Sequence, residues 1–329
     1  MEFGAYFLLS ILISVSTILF TLRFSKKEEF LDTHIKAHAI HRVPVPRIGG
    51  LGIYLAVALF MVLKGYIKLF LLSTMVFMIG FIEDLKKDIP PKVRLAGLLL
   101  ISYFSCFILG IDIKTLGFLE LPYFLSLALT VVAIAGYTNA VNIVDGLNGL
   151  ASGISLLFVL FLGMTYYEFG NISMFLLCIA IIGAIVGFLI FNFPNGKIFL
   201  GDGGAYFLGY ICAILSIKLI NLYPEVSPWF PLILGVYPVW EVLFSAYRRW
   251  KKGKPPFYPD KLHFHTLVYY MVTRSNPAAS FIIVLWCFIF SVIAYFLKSC
   301  TYCLVIEFLI FVLNYSYFYR KLATSLRLS

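Results

Sequence analysis

Charge is what this chain is short of. Only 13% of its 329 residues are Asp, Glu, Lys or Arg, and the acidic ones number just 16. A water-soluble fold of this size needs far more charged surface, so 61% hydrophobic residues and a mean hydropathy of +0.96 exclude an ordinary soluble domain. A disulfide framework is missing too: Cys106, Cys178, Cys212, Cys287, Cys300 and Cys303 are scattered along the chain. Cys300 and Cys303 form a C-x-x-C with no further zinc ligand nearby, and they read as two small unpaired residues in preference to a disulfide. There is no P-loop, G-x-G-x-x-G, H-E-x-x-H or serine nucleophile elbow, which removes the common nucleotide, zinc-protease and hydrolase signatures. Met1-Glu2 is not the basic start of a signal peptide, so the first apolar run reads as a retained helix.

What is present is a series of long apolar runs. A spanning helix needs about 20 mostly apolar residues to cross about 30 Å of hydrocarbon. Eleven stretches come close: 3–22, 48–63, 66–82, 93–110, 122–138, 147–167, 171–191, 204–221, 229–246, 279–297 and 300–318, the second, third and fifth being short. The expectation is an all-α polytopic bundle of about eleven transmembrane helices, forming one catalytic domain over 1–329. Most of the 26 Lys and Arg residues fall on one side of it, in 23–47, 83–92 and its continuation to Arg94, 192–203, 247–278 and the tail after 318. The positive-inside rule makes that side cytosolic, with the N-terminus outside and the C-terminus inside. The net charge of +10 is thus mainly a topology signal, and nucleic acid is not an expected partner.

The same side carries the polar chemistry. Five loops, 23–47, 83–92, 139–146, 192–203 and 247–278, each hold a polar cluster, whereas the opposite loops hold little. Groups converging on one face from separate loops are expected of a site that faces the cytosol. Glu83-Asp84 ends the third run. It is either a metal-associated or base-supplying pair beside a phosphate, or a solvated helix end neutralised by Lys86 and Lys87. Asn139, Asn142, Asp145 and Asn148 recur every three residues, a helical stripe of amide and carboxylate oxygens suited to Mg²⁺ and to hydrogen bonds with a base or sugar. Asp202 sits among Gly201, Gly203 and Gly204 where a helix begins, an expected anion-friendly corner with unsatisfied N–H groups. A plain N-cap role accounts for Asp202 but not for the glycines.

His263 and His265 lie in the longest loop, which begins Lys251-Lys-Gly-Lys-Pro-Pro and reads as a substrate-recognition lid. Two residues apart, they diverge on a helix and make a poor chelating pair, but one of them suits phosphate binding or proton transfer. His34, His38 and His41 share helical spacing, better read as an interfacial amphipathic turn with Lys36 and Arg42 than as a metal face. Arg47, in Val43-Pro-Val-Pro-Arg-Ile-Gly-Gly50, is a rigid basic element suited to phosphate.

In order, these loops resemble the polyprenyl-phosphate N-acetylhexosamine-1-phosphate transferases, over essentially the whole chain from Pro44-x-Pro-Arg-x-Gly-Gly50 to the His-x-His loop. The family includes enzymes that start O-antigen and teichoic-acid lipids and the phospho-N-acetylmuramoyl-pentapeptide transferase of peptidoglycan synthesis. The resemblance implies a bacterial cytoplasmic (inner) membrane enzyme that transfers HexNAc-1-phosphate from a UDP-N-acetylhexosamine to undecaprenyl phosphate and releases UMP. It implies Mg²⁺, with Mn²⁺ a substitute, on Asn142 and Asp202; a uracil contact at Asn148; and a basic contact with the pyrophosphate at Arg94. Glu83 and Asp84 match the family's paired aspartates, and His263 and His265 its His-x-His-His. Glu83, Gly203 and Thr266 depart from the pattern, and the Glu-Asp pair looks closer to the surface-polysaccharide branch than to the peptidoglycan branch. The rival expectation is a secondary transporter of a charged solute, for which Glu307 is the clear ionisable group deep in a span. Oligomeric state is left open, a homodimer included.

Overall fold

Lipid offers the backbone no hydrogen-bond partner, so a chain this apolar must satisfy its N–H and C=O groups within helices. The computed structural model, which describes residues 2–24, 45–86, 89–253, 255 and 262–328, does so. Its order is α1 (Glu2–Phe24), α2 (Gly50–Leu63), α3 (Ile67–Lys86), α4 (Pro91–Leu109), α5 (Tyr123–Val144), α6 (Leu150–Glu168) and α7 (Ile172–Asn192). There follow α8 (Gly201–Leu222), α9 (Trp229–Leu234), α10 (Val236–Lys251), α11 (Phe264–Val268), a π-helical turn (Tyr269–Thr273), α12 (Asn276–Phe296) and α13 (Thr301–Leu328).

All eleven apolar stretches contain helix, but eight helices among the described residues are long and apolar enough to cross a membrane: α1, α4, α5, α6, α7, α8, α12 and α13. The other three stretches fall short for visible reasons. Helix α2 has 14 residues, α3 carries Lys68, Glu83, Asp84 and Lys86, and the stretch at 229–246 is broken at Gly235 into α9 and α10. Large apolar side chains such as Leu12, Phe20, Leu100, Phe124 and Phe281 are exposed, as a lipid-facing surface requires. The protein is a multi-pass membrane protein.

Helix α8 is the most buried of the spanning helices and packs against α2, α3, α5 and α6. Its approach to α3 depends on Gly80, where a side chain would run into the backbone of Asp202 and Gly203. Backbone hydrogen bonds clamp the segment before α2 to the one before α8. Phe199 N–H donates to Pro46 O (2.8 Å), Gly49 N–H to Phe199 O (2.9 Å) and Gly50 N–H to Leu200 O (2.8 Å). Beside the α9–α10 break lies an apolar groove of about 520 Å³, lined by Tyr137, Ala140, Trp229, Gly235, Val239 and Leu243 among others.

At the start of α9, away from the α2–α8 clamp, Ser227 N–H donates to Lys298 O (2.8 Å), and Lys298 pairs with Glu168 (3.0 Å). There the structure corrects the reading of Cys300 and Cys303. They form a disulfide, because the turn into α13 brings their Cα atoms to 5.3 Å, within the bridging range. The segment expected as a lid over 247–278 is substantially helical: α10 continues to Lys251, and 264–273 forms α11 and the π-helical turn. The lid's residues 254 and 256–261 lie outside the described residues, as do Lys87, His34, Lys36, His38, His41 and Arg42.

Candidate active site

The polar end of the bundle is assembled from helix termini. The C-terminus of α3 brings Glu83 and Asp84, the N-terminus of α4 brings Arg94, the end of α5 brings Asn139, Asn142 and Asp145, and the first turn of α8 brings Asp202. Asp84 is 7% exposed, and both its oxygens are used: Asp202 N–H donates to Oδ1 and Gly203 N–H to Oδ2, each at 2.9 Å. The N–H groups expected to be open at the start of α8 are therefore satisfied by a carboxylate from another helix. Asp202 is not the cap itself. It stands inside the first turn, with its side chain free to point at Arg94, and Arg94 Nη1 donates to Asp202 Oδ2. Gly201 explains one of the flanking glycines: its φ is +77°, and a side chain there would strike the carbonyl oxygen of Arg47.

Glu83 turns the other way. It accepts the Ile89 N–H (2.9 Å) and lies 4.0 Å from Arg94 Nη1, so it braces the turn between α3 and α4 while facing the same guanidinium as Asp202. Burial first, and then the neighbouring Asp202 charge, push the Asp84 carboxyl up to about 8, against its two N–H donors and Arg47, which pull it down. Burial also pushes Asp145 up to about 7, with Arg47 pulling down and Asp202 pushing up. Arg47, Asp84, Asp145 and Asp202 thus share one electrostatic neighbourhood, in which crowded carboxylates favour added positive charge.

The stripe of amides leaves the helix at Val144, so only Asn139 and Asn142 are helical. Asp145 caps α5, and Asn148 belongs to the turn before α6. That turn is pinned from outside. Asn148 Nδ2 donates to Pro194 O (2.9 Å), Asn148 N–H to Asn276 Oδ1 (2.8 Å) and Gly149 N–H to Asn192 Oδ1 (2.6 Å). Asn148 is 4% exposed.

The histidines do not diverge. His263 is extended (φ −71°, ψ 148°) and precedes α11, so its ring lies parallel to that of His265 with centroids 5.4 Å apart. His265 is buried against Gly146 and within 3.2 Å of the Tyr237 hydroxyl, and desolvation lowers its pKa to about 4, leaving it neutral at pH 7. His263 Nδ1 donates to Glu241 Oε1 at 2.9 Å. Glu241 is the main residue that sequence reasoning passed over. Its position in a basic, mixed helix end carries no motif, and its partners come from residues 245 to 315. Asn192 and Asn276 were likewise unassigned. Glu307 is buried in α13, and among the described residues neither of its carboxylate oxygens has a hydrogen-bond partner.

A membrane bundle whose helix ends bring together cations, carboxylates and a histidine loop at one end defines a class: an integral membrane protein with a polar cluster at one end of its helices. The comparisons narrow it. Residues 66–220 match the model of glycosyl transferase family 4, a span that holds every site residue above from Glu83 to Asp202. The chain is 31% identical to a protein of Bacillus subtilis (strain 168) described as a probable undecaprenyl-phosphate N-acetylglucosaminyl 1-phosphate transferase, over 83% of this chain and 79% of that one. It is 34% identical to the undecaprenyl-phosphate alpha-N-acetylglucosaminyl 1-phosphate transferase of Thermotoga maritima, over 74% of each. It is 28% identical to the decaprenyl-phosphate N-acetylglucosaminephosphotransferase of Mycolicibacterium smegmatis, over 75% of this chain and 70% of that one. The chain belongs to glycosyl transferase family 4 and is an enzyme of that family.

Proposed function

We propose that this protein transfers N-acetylglucosamine-1-phosphate from UDP-N-acetylglucosamine to undecaprenyl phosphate on the cytosolic face of a bacterial cytoplasmic membrane. The observation that carries the reading is the meeting of Arg94, Asp202, Asp84 and the Arg47 segment in a chain whose relatives are named for that reaction. The Lys and Arg distribution supports the cytosolic placement. The relatives' names favour N-acetylglucosamine over a peptidoglycan precursor. The apolar groove running to Ala140 and Leu243 supports an acceptor with a long hydrocarbon tail.

In this reading an oxygen of the lipid phosphate attacks the β-phosphorus of the UDP-sugar. The new P–O bond replaces the anhydride bond to UMP, which leaves with its electron pair. One phosphoanhydride is exchanged for another, so the step is nearly balanced and reversible. Arg94 and Arg47 neutralise the pyrophosphate, and Asn148 and Asp145 hold the uridine end. His263 offers its unprotonated Nε2 to the acceptor phosphate, whose remaining proton it takes up, and His265, held neutral, supports it from behind. Asp84 fixes the α8 terminus that presents Asp202. A phosphate monoester is mostly dianionic above its second pKa of about 6, so no strong base is required.

Among the described residues no three His, Cys, Asp or Glu side chains form a metal-holding group. The donor set nonetheless fits Mg²⁺, which takes one or two carboxylates and completes its shell with water and substrate phosphate. Asp202, beside carboxyls that burial and mutual repulsion push up, and Asn142, one turn before Asp145, would hold it, with Mn²⁺ as a substitute. When bound, the ion neutralises charge on the pyrophosphate. The test is UMP release by purified protein given UDP-N-acetylglucosamine, undecaprenyl phosphate and Mg²⁺. Absence of UMP with every UDP-N-acetylhexosamine, together with solute uptake into liposomes, would replace this reading with transport.

A further inference from the structure

The carboxylate of Glu241 is wholly buried, yet it is not an orphan. His263 Nδ1 donates to Oε1 (2.9 Å), Ser245 Oγ to Oε1 (3.1 Å), Phe264 N–H to Oε2 (3.2 Å) and Tyr315 Oη to Oε2 (2.7 Å). The donors come from α10 itself, from the start of α11 and from α13. A carboxylate buried in a membrane protein is costly, and four donors are a large outlay of polar groups for a residue that touches no other part of the site. What they achieve is specific. Two of the four, the His263 ring and the Phe264 N–H, belong to the histidine loop, so the loop is tied to the helix bundle at its first helical residue.

We propose that Glu241 is the positioning residue of His263, fixing the ring with its proton on Nδ1 so that the Nε2 lone pair is offered to the remaining proton of the acceptor phosphate. An ionised carboxylate only accepts, so at 2.9 Å the shared proton belongs to Nδ1. Rotation of the ring is further resisted by the parallel His265 ring, itself held by Tyr237 and by the backbone at Gly146. Tyr315 extends the chain of contacts into α13: its hydroxyl donates to Oε2, and its ring packs at 4.9 Å from that of Phe264. The inference rests on the transferase reading above, through the role given to His263.

The experiment is a double-mutant cycle in the UMP-release assay on full-length protein in detergent, using Glu241→Gln, His263→Ala and the pair. Glu241→Gln should lower kcat about 10- to 100-fold, the range in which loss of an outer partner of a histidine falls, with the KM for UDP-N-acetylglucosamine within about twofold. In the His263→Ala background the same change should have almost no further effect, because Glu241 acts through that ring. Independent, multiplying losses would overturn the proposal, as would near-normal rates in either single variant. If Glu241→Gln does not yield folded protein, Glu241→Asp replaces it: the shorter carboxylate should give a partial loss that again vanishes without His263. If the unaltered protein releases no UMP, the transferase reading fails. The positioning claim is then judged by the His263 imidazole nitrogen shifts, which must report an Nδ1–H tautomer in the unaltered protein and lose it in Glu241→Leu, which removes the acceptor.

Discussion

Removal of the Asp84 carboxylate should loosen α8 at its first turn, independently of any catalysis. Two N–H groups, those of Asp202 and Gly203, donate to it at 2.9 Å, and the accepting Asp84 side chain is nearly inaccessible to water. Burial pushes Asp84 up to about 8, so at neutral pH its carboxyl is largely uncharged and the range for charged acceptors does not apply. Each N–H bond to it then contributes about 0.5–1.5 kcal/mol, and a buried donor left alone costs about 1–3 kcal/mol. On these values, Asp84→Ala should cost about 2 kcal/mol in local opening, and Asp84→Asn about half, because one amide oxygen still accepts. At about 1.4 kcal/mol per tenfold, amide exchange at the start of α8 should then speed up about 30-fold in Asp84→Ala and about fivefold in Asp84→Asn. Hydrogen-exchange mass spectrometry on peptides spanning 199–206 reads this directly, with peptides from α12 as internal controls. Unchanged exchange in Asp84→Ala would refute the capping argument and return Asp84 to a purely chemical role.

Other outcomes follow from the same geometry. Asp202→Asn should reduce UMP release at least 100-fold while retaining the folded protein, since Arg94 keeps an oxygen partner; near-normal rates would remove Asp202 from the site. Gly201→Ala should cost more than 1 kcal/mol and lower the yield of folded protein, because a φ of +77° suits glycine and the new methyl meets the Arg47 carbonyl. His265 sets a pH dependence. Its folded pKa of about 4 lies below the ordinary 6.5, so its neutral burial contributes full stability above 6.5, and that contribution is lost as pH falls from 6.5 towards 4. The loss amounts to about 3 kcal/mol at 1.36 kcal/mol per pH unit, and thermal unfolding of the unaltered protein against His265→Asn should diverge in that window.

The helical bundle was legible because lipid imposes apolar runs long enough to count, and the segments that meet at the polar end because their ionisable residues stand out in so apolar a chain. The broken stretch at 229–246 was not visible as two helices, since Gly235 alone does not distinguish a kink from a continuous span. Asp84 and Asp202 announced themselves by type and setting, but their relation did not. Nothing local in the sequence says that a carboxylate at the end of α3 caps a helix 118 positions later. The same holds for Glu241, whose partners lie as far as 74 positions away. His263 and His265 were misjudged for a different reason: helical spacing was applied to a residue that is extended.

The fastening of the histidine loop has a consequence for engineering. Sugar choice in such enzymes invites loop exchange between relatives, with the segment around 254–266 treated as a cassette. Here residues 263 and 264 at its described end are held by the helix bundle, through Glu241 on α10 and, behind it, Tyr315 on α13. A transplanted loop that lacks a donor at position 263, or a recipient that lacks an acceptor at position 241, would carry the right letters in the wrong pose. The transferable unit is the loop together with those two helix positions.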